Sequence, residues 1–597
     1  MRKSLWYSTN VNKYLPLSII FGMITTLLFY AGYGVGDHIE QLPIILRSLN
    51  SNYLLNDFFT NASTKSVARL GYSQFIAILA GSEQNLPTVF LILTLVSNVA
   101  ISFITYTFAG NLFRSSKVGI WASALTMSVS TFSLGWWSQI YQTTLIPSAV
   151  AIPFILGSIY YLMQDKIVMA ILLGNIASLF HPLFGLEISV LAFATHIIFH
   201  VVRKQKLTIS TLFALLFFIP FALISLVPQM SQQQLDSNQF IYIVAHFRHP
   251  HHYIPSTFSL FDFINAAAFL TVAVIAYRKW SKASQNPFRI IPAIIMSFVL
   301  LLCISGYVFV ELIPSRLWTT AQTFRLLYIV KWLGIIFVAG EIAQLSNSTQ
   351  PFYVSSVFSP LSLSVVTLSQ SFREYFEQHS FHRLAKILNP PLVLVVAIFF
   401  IVASKISILS IMCLAVYLFL IFTFDELPNK LSLVVSAGIL VAIGAFYFYP
   451  NYLTNTEQQT NFFEIKPEIG ADGVSVARFA RENTPEQSVF LTPPQFGQFR
   501  LLANRAIVVD FKAFPFYDAG IEEWYERITT CYGDSSLRGF AMVEELDENY
   551  RTMNDHDLVA LQEKYNFDYA ILYRDTPTNF DVLFQNTTYK AVHLKKH

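Results

Sequence analysis

Charge is scarce in this chain. Of its 597 residues only 13% are Asp, Glu, Lys or Arg, whereas 54% are hydrophobic and Phe alone numbers 55. With a mean hydropathy of +0.50, that balance falls outside ordinary soluble domains and indicates a polytopic membrane protein. The formal net charge of +3 gives a nucleic-acid partner no electrostatic support. Cysteine is nearly absent. Cys303 and Cys413 sit inside apolar runs and Cys531 stands alone in a polar region, which argues against a disulfide framework and a thiolate metal site. Also missing are the Gly-x-Ser-x-Gly, His-Glu-x-x-His and Walker patterns, any internal repeat and any low-complexity tract.

What the chain does have is long apolar runs. A helix needs roughly 20 apolar residues to cross the hydrocarbon. Runs of that kind centre near residues 24, 99, 127, 154, 174, 194, 218, 268, 300, 334, 399, 416 and 440, which predicts about thirteen transmembrane helices. Arg2, Lys3 and Lys13 precede the first run, which is long and has no small-residue cleavage site after it, so it reads as a retained span and not a signal peptide. Basic residues fall in alternate connections: the N-terminus, Arg114/Lys117, Lys166, Arg203 to Lys206, Arg278 to Arg289, the 341–388 connection and Lys430. The positive-inside rule then predicts a cytoplasmic N-terminus and a periplasmic or extracellular C-terminal region, as in a bacterial inner membrane. The 346–388 connection is ambiguous, with an apolar 358–369 stretch and a charged 373–386 stretch.

Residues 1–450 therefore read as a transmembrane domain, with a first external loop over 34–86. Residues 451–597 read as an extracytoplasmic soluble α/β domain. There, 474–481, 520–530 and 557–564 carry helical patterns, and 488–491, 506–511, 569–573 and 589–594 carry strand patterns.

Four stretches carry candidate chemistry. Asp37, His38 and Glu40 follow the first span at the membrane edge, and Ile39, Leu42, Ile45, Leu46 and Leu49 recur behind them at helical spacing, so the segment can lie along the interface with its apolar face in lipid. Asp37 can act as a general base or hold an acceptor; equally, it can be the helix N-cap, with Glu40 at capping-box spacing. His181 to Glu187 sets a His and a Glu between two apolar runs, either as a functional pair at membrane depth or as a self-capped hairpin. The run His246-Phe-Arg-His-Pro-His-His-Tyr253 holds four histidines and Arg248. His249, His251 and His252 are candidates for proton transfer, phosphate contact or a divalent metal, the one cofactor these residues suit. A solvated loop without ligand fits the same letters. Arg316, Arg325 and Lys331 form a cationic strip entering the membrane, where a guanidinium matches a lipid phosphate, snorkels, or pairs with Glu311. In the tail, Asp510 ends an apolar strand and Lys512 lies just beyond it.

An acidic residue in the first external loop, about thirteen spans and an extracytoplasmic α/β tail together resemble the C-class (GT-C) membrane glycosyltransferase superfamily, and the tail is similar to that of bacterial members. The resemblance implies a polyprenyl-phosphate sugar donor in the membrane and a glycan, lipid or protein acceptor. It further implies that Asp37, in Gly36-Asp37-His38, acts on the acceptor or helps bind a metal, and that Arg248, Arg316 or Arg325 contacts the lipid phosphate. The chain departs from the family in lacking an Asp-Glu or Asp-x-Asp pair in that loop, and also lacks the Trp-Trp-Asp signature of oligosaccharyltransferases, having Gly135-Trp-Trp-Ser in a different place. The rival readings are a lipid or polysaccharide transporter or flippase, which predicts mid-membrane ionisable groups and broken helices related by a repeat, and a non-catalytic assembly protein.

Overall fold

The computed structural model describes residues 14–128, 134, 140–345 and 462–594. The expected spans near 399, 416 and 440, the 346–388 connection, the Gly135 to Gln139 stretch, Lys430 and the basic residues before position 14 lie outside the described residues.

The first half is helical: α1 (Leu15–Phe29), α2 (His38–Leu49), α3 (Phe58–Ser63), α4 (Val67–Ala80), α5 (Leu86–Phe113), α6 (Ser116–Ser128), α7 (Pro147–Leu162), α8 (Ile167–Phe180), α9 (Pro182–Val202) and α10 (Ile209–Ser231). Then come α11 (Ser237–Ile241), a π-helical turn Tyr242–Arg248, α12 (Pro250–Tyr253), α13 (Leu260–Ala283), α14 (Ile291–Tyr307), α15 (Arg316–Ala321), a 3-10 turn Thr323–Leu326 and α16 (Leu327–Leu345). Every expected span centre from 24 to 334 falls on one of these helices. Among the described residues, four helical stretches are long and apolar enough to cross a membrane: Glu83–Phe113, Pro182–Val202, Ile291–Leu312 and Arg316–Glu341. Leu15–Leu27, Pro147–Leu162, Ile167–Phe180 and Ile209–Leu223 are apolar but shorter. This is an integral membrane protein by its helices.

Helices α1, α5, α6, α7, α8 and α9 pack in a contiguous bundle, and α13, α14 and α16 close around it. Close approach is written into the sequence at Gly71 of α4, where an added Cβ would stand 2.2 Å from the Leu179 carbonyl oxygen of α8. No larger residue fits there without moving a helix.

The tail folds as α17 (Gly470–Asn483), β1 (Val489–Leu491), α18 (Phe499–Ala503), β2 (Ala506–Ile507), α19 (Asp518–Tyr532), α20 (Val543–Arg551), α21 (Asp555–Tyr565), β3 (Tyr569–Tyr573), β4 (Asp581–Gln585) and β5 (Tyr589–His593). The sheet runs β2-β1-β3-β5-β4. Its first three strands are parallel, with Phe490 opposite both Ile507 and Tyr569, and β5 pairs antiparallel with β3 and β4. The apolar run expected as one strand over 506–511 leaves the sheet after Ile507. Val508 still donates to the Phe490 carbonyl and Phe511 to that of Pro494, and the chain turns toward the helical half.

One apolar cluster crosses from the tail into the helical half. It joins Val508, Phe511, Phe514 and Trp524 to Ile39, Phe58 and Phe59 of the first loop and to Phe240, Val244 and Phe247 of the histidine segment. The apolar face of α2 is consequently covered by protein. Ile39, Leu42, Ile44, Ile45 and Leu46 are all buried, against α4, α18 and the tail, where the sequence pattern alone suggested lipid.

Candidate functional site

Where the first loop, the histidine segment and the tail meet lies a cavity of about 730 Å3. Asp37, Glu40, His181, Arg248, His249, His251, His252, Arg316 and Arg325 all line it, together with Arg69, Lys512 and Asp518. His38 does not.

Asp37 holds the N-cap position of α2, but its side chain makes no capping bond. The carboxylate instead lies 3.2 Å from the Lys512 ammonium of the tail and is 58% exposed. Desolvation raises the proton affinity of Asp37, and Lys512, with smaller contributions from His38 and Arg325, outweighs it, so the carboxyl is held below its usual range and is ionised at neutral pH. The backbone that aims it is glycine-rich. Gly34 has φ +78°, and an added Cβ would meet Ile465 Cγ2 at 2.6 Å, so neither the conformation nor the space admits a side chain. Tyr33 forms a parallel bridge to Ile465, and the Gly36 N–H donates to Glu468 Oε2 at 3.0 Å.

Glu40 sits one turn further along. Arg69 of α4 grips it at 2.6 Å and also donates to the carbonyls of Glu40 and Phe514. Burial pushes the Glu40 carboxyl above its usual range against the pull of Arg69. His38, the third acid–base candidate of that loop, is fully buried and turned away from the cavity. Its Nδ1 is 3.1 Å from the Gly34 N–H and its Nε2 3.1 Å from the Leu145 carbonyl, so Nδ1 accepts, Nε2 donates, and neither nitrogen is left for a substrate. Burial holds the ring down to about 4. The expected catalytic part for His38 gives way to a positioning part.

The histidine segment is helical with a π-helical interruption. The His249 N–H reaches back five residues to the Val244 carbonyl at 3.1 Å, the widened turn that often re-aims side chains at functional sites. Arg248, at its end, is 2% exposed. Its guanidinium lies between the Phe511 and Phe540 rings, 4.7 and 4.6 Å from their centroids, and one nitrogen donates to the Lys512 carbonyl at 2.9 Å. Nε and Nη1 have no partner among the described residues. A buried guanidinium with two idle donors calls for an anion.

His249 accepts no metal-like company. Its Nδ1 faces the Val244 carbonyl at 3.3 Å, and among the described residues the one trio whose ligand atoms all lie within 4.8 Å of one another is elsewhere, at Asp165, His196 and His200. His249, His251 and His252 thus share the cavity without forming a ready metal centre. Burial and Arg248 hold the His249 ring well below its usual value and the His251 ring down to about 4, so both are neutral at pH 7.

Arg316 is committed within the protein. It donates to the Leu235 carbonyl at 2.9 Å and to Asp518 Oδ1 at 2.5 Å, while Asp518 Oδ2 accepts from the Gln234 and Leu235 N–H groups. The expected partner Glu311 receives the Ser256 N–H instead, at 3.2 Å. Arg325 lines the cavity from the 3-10 turn, and Lys331, buried on α16, does not line it. His181 is the N-cap of α9, its Nδ1 accepting from Phe184 N at 3.3 Å, and it also lines the cavity. Glu187 is not in that wall, and its carboxylate oxygens are out of solvent with no hydrogen-bond partner among the described residues.

Five basic side chains (Arg69, Arg248, Arg316, Arg325, Lys512) face three acidic ones (Asp37, Glu40, Asp518) across this cavity. Counted formally, with the histidines taken as neutral, it carries an excess of two positive charges. Arg69 and Asp518 are the charged lining residues that the reading of the sequence did not single out. Arg69 had a signal, as a lone cation in the apolar stretch Val67–Ala80 that would need an acid partner; Phe511 and Phe540, which hold Arg248, had none.

The profile of a domain family described as "Domain of unknown function (DUF6798)" matches residues 471–531, the part of the tail that bears Asp510, Lys512 and Asp518. No curated protein matches the chain. Among solved structures, that of ArnT from Cupriavidus metallidurans in the apo state is similar at 12% identity, covering 97% of each chain with a TM-score of 0.40.

Proposed function

We propose that this protein is a GT-C-type membrane glycosyltransferase that moves a sugar from a polyprenyl-phosphate donor to an acceptor on the extracytoplasmic face. The observation that carries the reading is the cavity itself, in which an ionised Asp37 stands among cations that include the anion-seeking Arg248, beside apolar wall residues such as Phe180, Leu183 and Val244. Its volume is within the roughly 300–1,000 Å3 of small-molecule sites.

The charge excess suits the reaction better than it suits the resting donor. A polyprenyl phosphosugar is a phosphodiester with one negative charge, and the departing polyprenyl phosphate gains a second as the bond breaks. Two surplus positive charges therefore favour the transition state over the ground state, which is the condition for acceleration. In this scheme the donor phosphate meets Arg248 and Arg325 and competes for Lys512. Drawing Lys512 toward phosphate loosens its hold on Asp37 and restores that carboxylate as a base. The acceptor oxygen then attacks the anomeric carbon, its proton passes to Asp37, and the carbon–oxygen bond to phosphate breaks with inversion. Glu40 stays on Arg69 and positions α2, and the neutral His251 ring and the His252 ring offer hydrogen bonds to sugar hydroxyls.

The test is transfer by the full chain reconstituted with a panel of polyprenyl-phosphate sugars. Asp37→Asn, expressed and folded as wild type, is expected to lose about 100-fold or more in turnover, the usual weight of a positioned base. Retained turnover in that variant removes Asp37 from the mechanism, and no release of polyprenyl phosphate from any donor removes the proposal.

A further inference from the structure

At the other end of α9, remote from the cavity, a second cluster of ionisable side chains serves none of this chemistry. Asp165 occupies the turn between α7 and α8 in the left-handed conformation, φ +59°. His196 and His200 stand one helical turn apart on α9 and are 2% and 3% exposed. Asp165 Oδ1 lies 3.2 Å from His196 Nδ1 and 3.3 Å from His200 Nε2. From His181 to this group the helix runs on the order of 20–30 Å at 1.5 Å per residue, so the two sites lie toward opposite membrane faces.

One of these two contacts is a hydrogen bond, between His200 Nε2 and Asp165 Oδ1, and the other is not. His196 Nδ1 makes no hydrogen bond despite its approach to Asp165, so a buried ring nitrogen and a carboxylate oxygen face each other outside hydrogen-bond geometry. Bonds of about 2.0–2.1 Å to a tetrahedral zinc-like ion put neighbouring ligand atoms roughly 3.3 Å apart, which is the separation seen from Asp165 Oδ1 to each nitrogen. On its far side the His196 ring is fixed by Thr211, with Nε2 and Oγ1 2.9 Å apart, the kind of outer contact that orients a metal-binding imidazole. The flanking cations point elsewhere. Lys166 lies 5.5 Å from the centre of the Tyr161 ring, and Arg203 donates to the Pro287 carbonyl.

We propose that Asp165, His196 and His200 bind a divalent first-row metal ion, zinc or one of like preference, which staples the α7–α8 turn to α9. Two imidazoles and one carboxylate suit such an ion, and not magnesium or calcium, which take oxygen ligands. Asp165 is 27% exposed, which gives the fourth coordination position access to water. The site is independent of the transferase reading, since it shares no residue with the cavity.

The full chain in detergent, stripped with chelator, is titrated with Zn2+ against a chromophoric competitor, and with Co2+ followed by its visible absorption. Wild type is expected to bind one Zn2+ more than the His196→Gln/His200→Gln variant, and Zn2+ to raise the thermal midpoint of wild type alone. Equal stoichiometry in two monodisperse proteins overturns the proposal. If the double variant does not fold, Asp165→Asn replaces it, with at least tenfold weaker Zn2+ affinity expected; unchanged affinity and an unchanged Co2+ spectrum overturn the proposal in the same way.

Discussion

Arg248 is charged, almost wholly buried, and bonded through only one of its nitrogens. Burial pushes it down to about 10, still above neutral pH, so the folded protein carries an undersatisfied cation whose desolvation works against stability. The two phenylalanine faces recover part of that cost. Arg248→Met keeps the bulk and removes the charge, and is therefore expected to raise the thermal midpoint while weakening donor binding about 10- to 100-fold, the worth of one charge-assisted contact at roughly 1.5–3 kcal/mol. Calorimetry and donor titration on the same preparation check both halves; a lower midpoint with unchanged donor affinity would make Arg248 a structural residue. His38 gives a second, pH-dependent expectation. The folded ring is held at about 4 against 6.5 for the free group. Between those values the unfolded chain binds a proton that the native chain does not, so stability is fully present above about pH 6.5 and falls as the pH drops toward 4, by on the order of 3 kcal/mol. The wild-type thermal midpoint should decline through that window, and His38→Gln, whose amide can still donate to Leu145, should flatten the decline.

At the scale of elements, what the sequence made legible was periodicity and what it hid was company. The long apolar runs marked α1, α5, α9, α14 and α16 because a helix in lipid must satisfy its backbone internally and leave its surface apolar. The same pattern identified α2 as amphipathic without saying what covers it. Protein covers it, because the tail brings Phe511, Phe514 and Trp524 to the cluster that Ile39 joins, and no local signal reports a contact more than 450 residues away along the chain. Strand length failed for a related reason. Ala506 to Val509 is uniformly apolar, yet only two residues pair, since the rest is buried against the first loop and the histidine segment and not against a strand. The exposed edge strand β4 carries no alternation that would have announced it. In the site, the acids and cations were visible as ionisable letters beside apolar ones, whereas their pairing was not. Asp37 and Glu40 looked like a capping box, and each proved to hold a cation from another element.

Considered as a whole molecule, the cavity exists only while the tail sits on the first loop, and several side chains stitch that seam. Gln498, 1% exposed, donates to the carbonyls of Gly34 and Lys466 at 2.9 and 2.7 Å and accepts the Glu468 N–H at 2.6 Å. Beside it, Arg500 joins Asp57 of the first loop to Asp510 of the tail at 2.8 and 3.0 Å with no exposure, a buried pairing that fixes register as much as it stabilises. Removing the Gln498 amide leaves three backbone groups without partners, at about 1–3 kcal/mol each where water cannot reach them, while the tail's sheet loses nothing. Gln498→Ala is thus expected to speed hydrogen exchange at residues 32–36 and 465–468 with strands β1 and β3 still protected, because local opening follows the bonds that are lost. Since Lys512 reaches Asp37 across this same seam, turnover should fall in parallel with protection, and restoring a shorter amide with Gln498→Asn should recover neither. Exchange accelerated uniformly across the tail would mean that Gln498 supports the fold of the tail and not its docking, which would then rest on the other contacts across the seam, among them Arg500 with Asp57 and Arg69 with the Phe514 carbonyl.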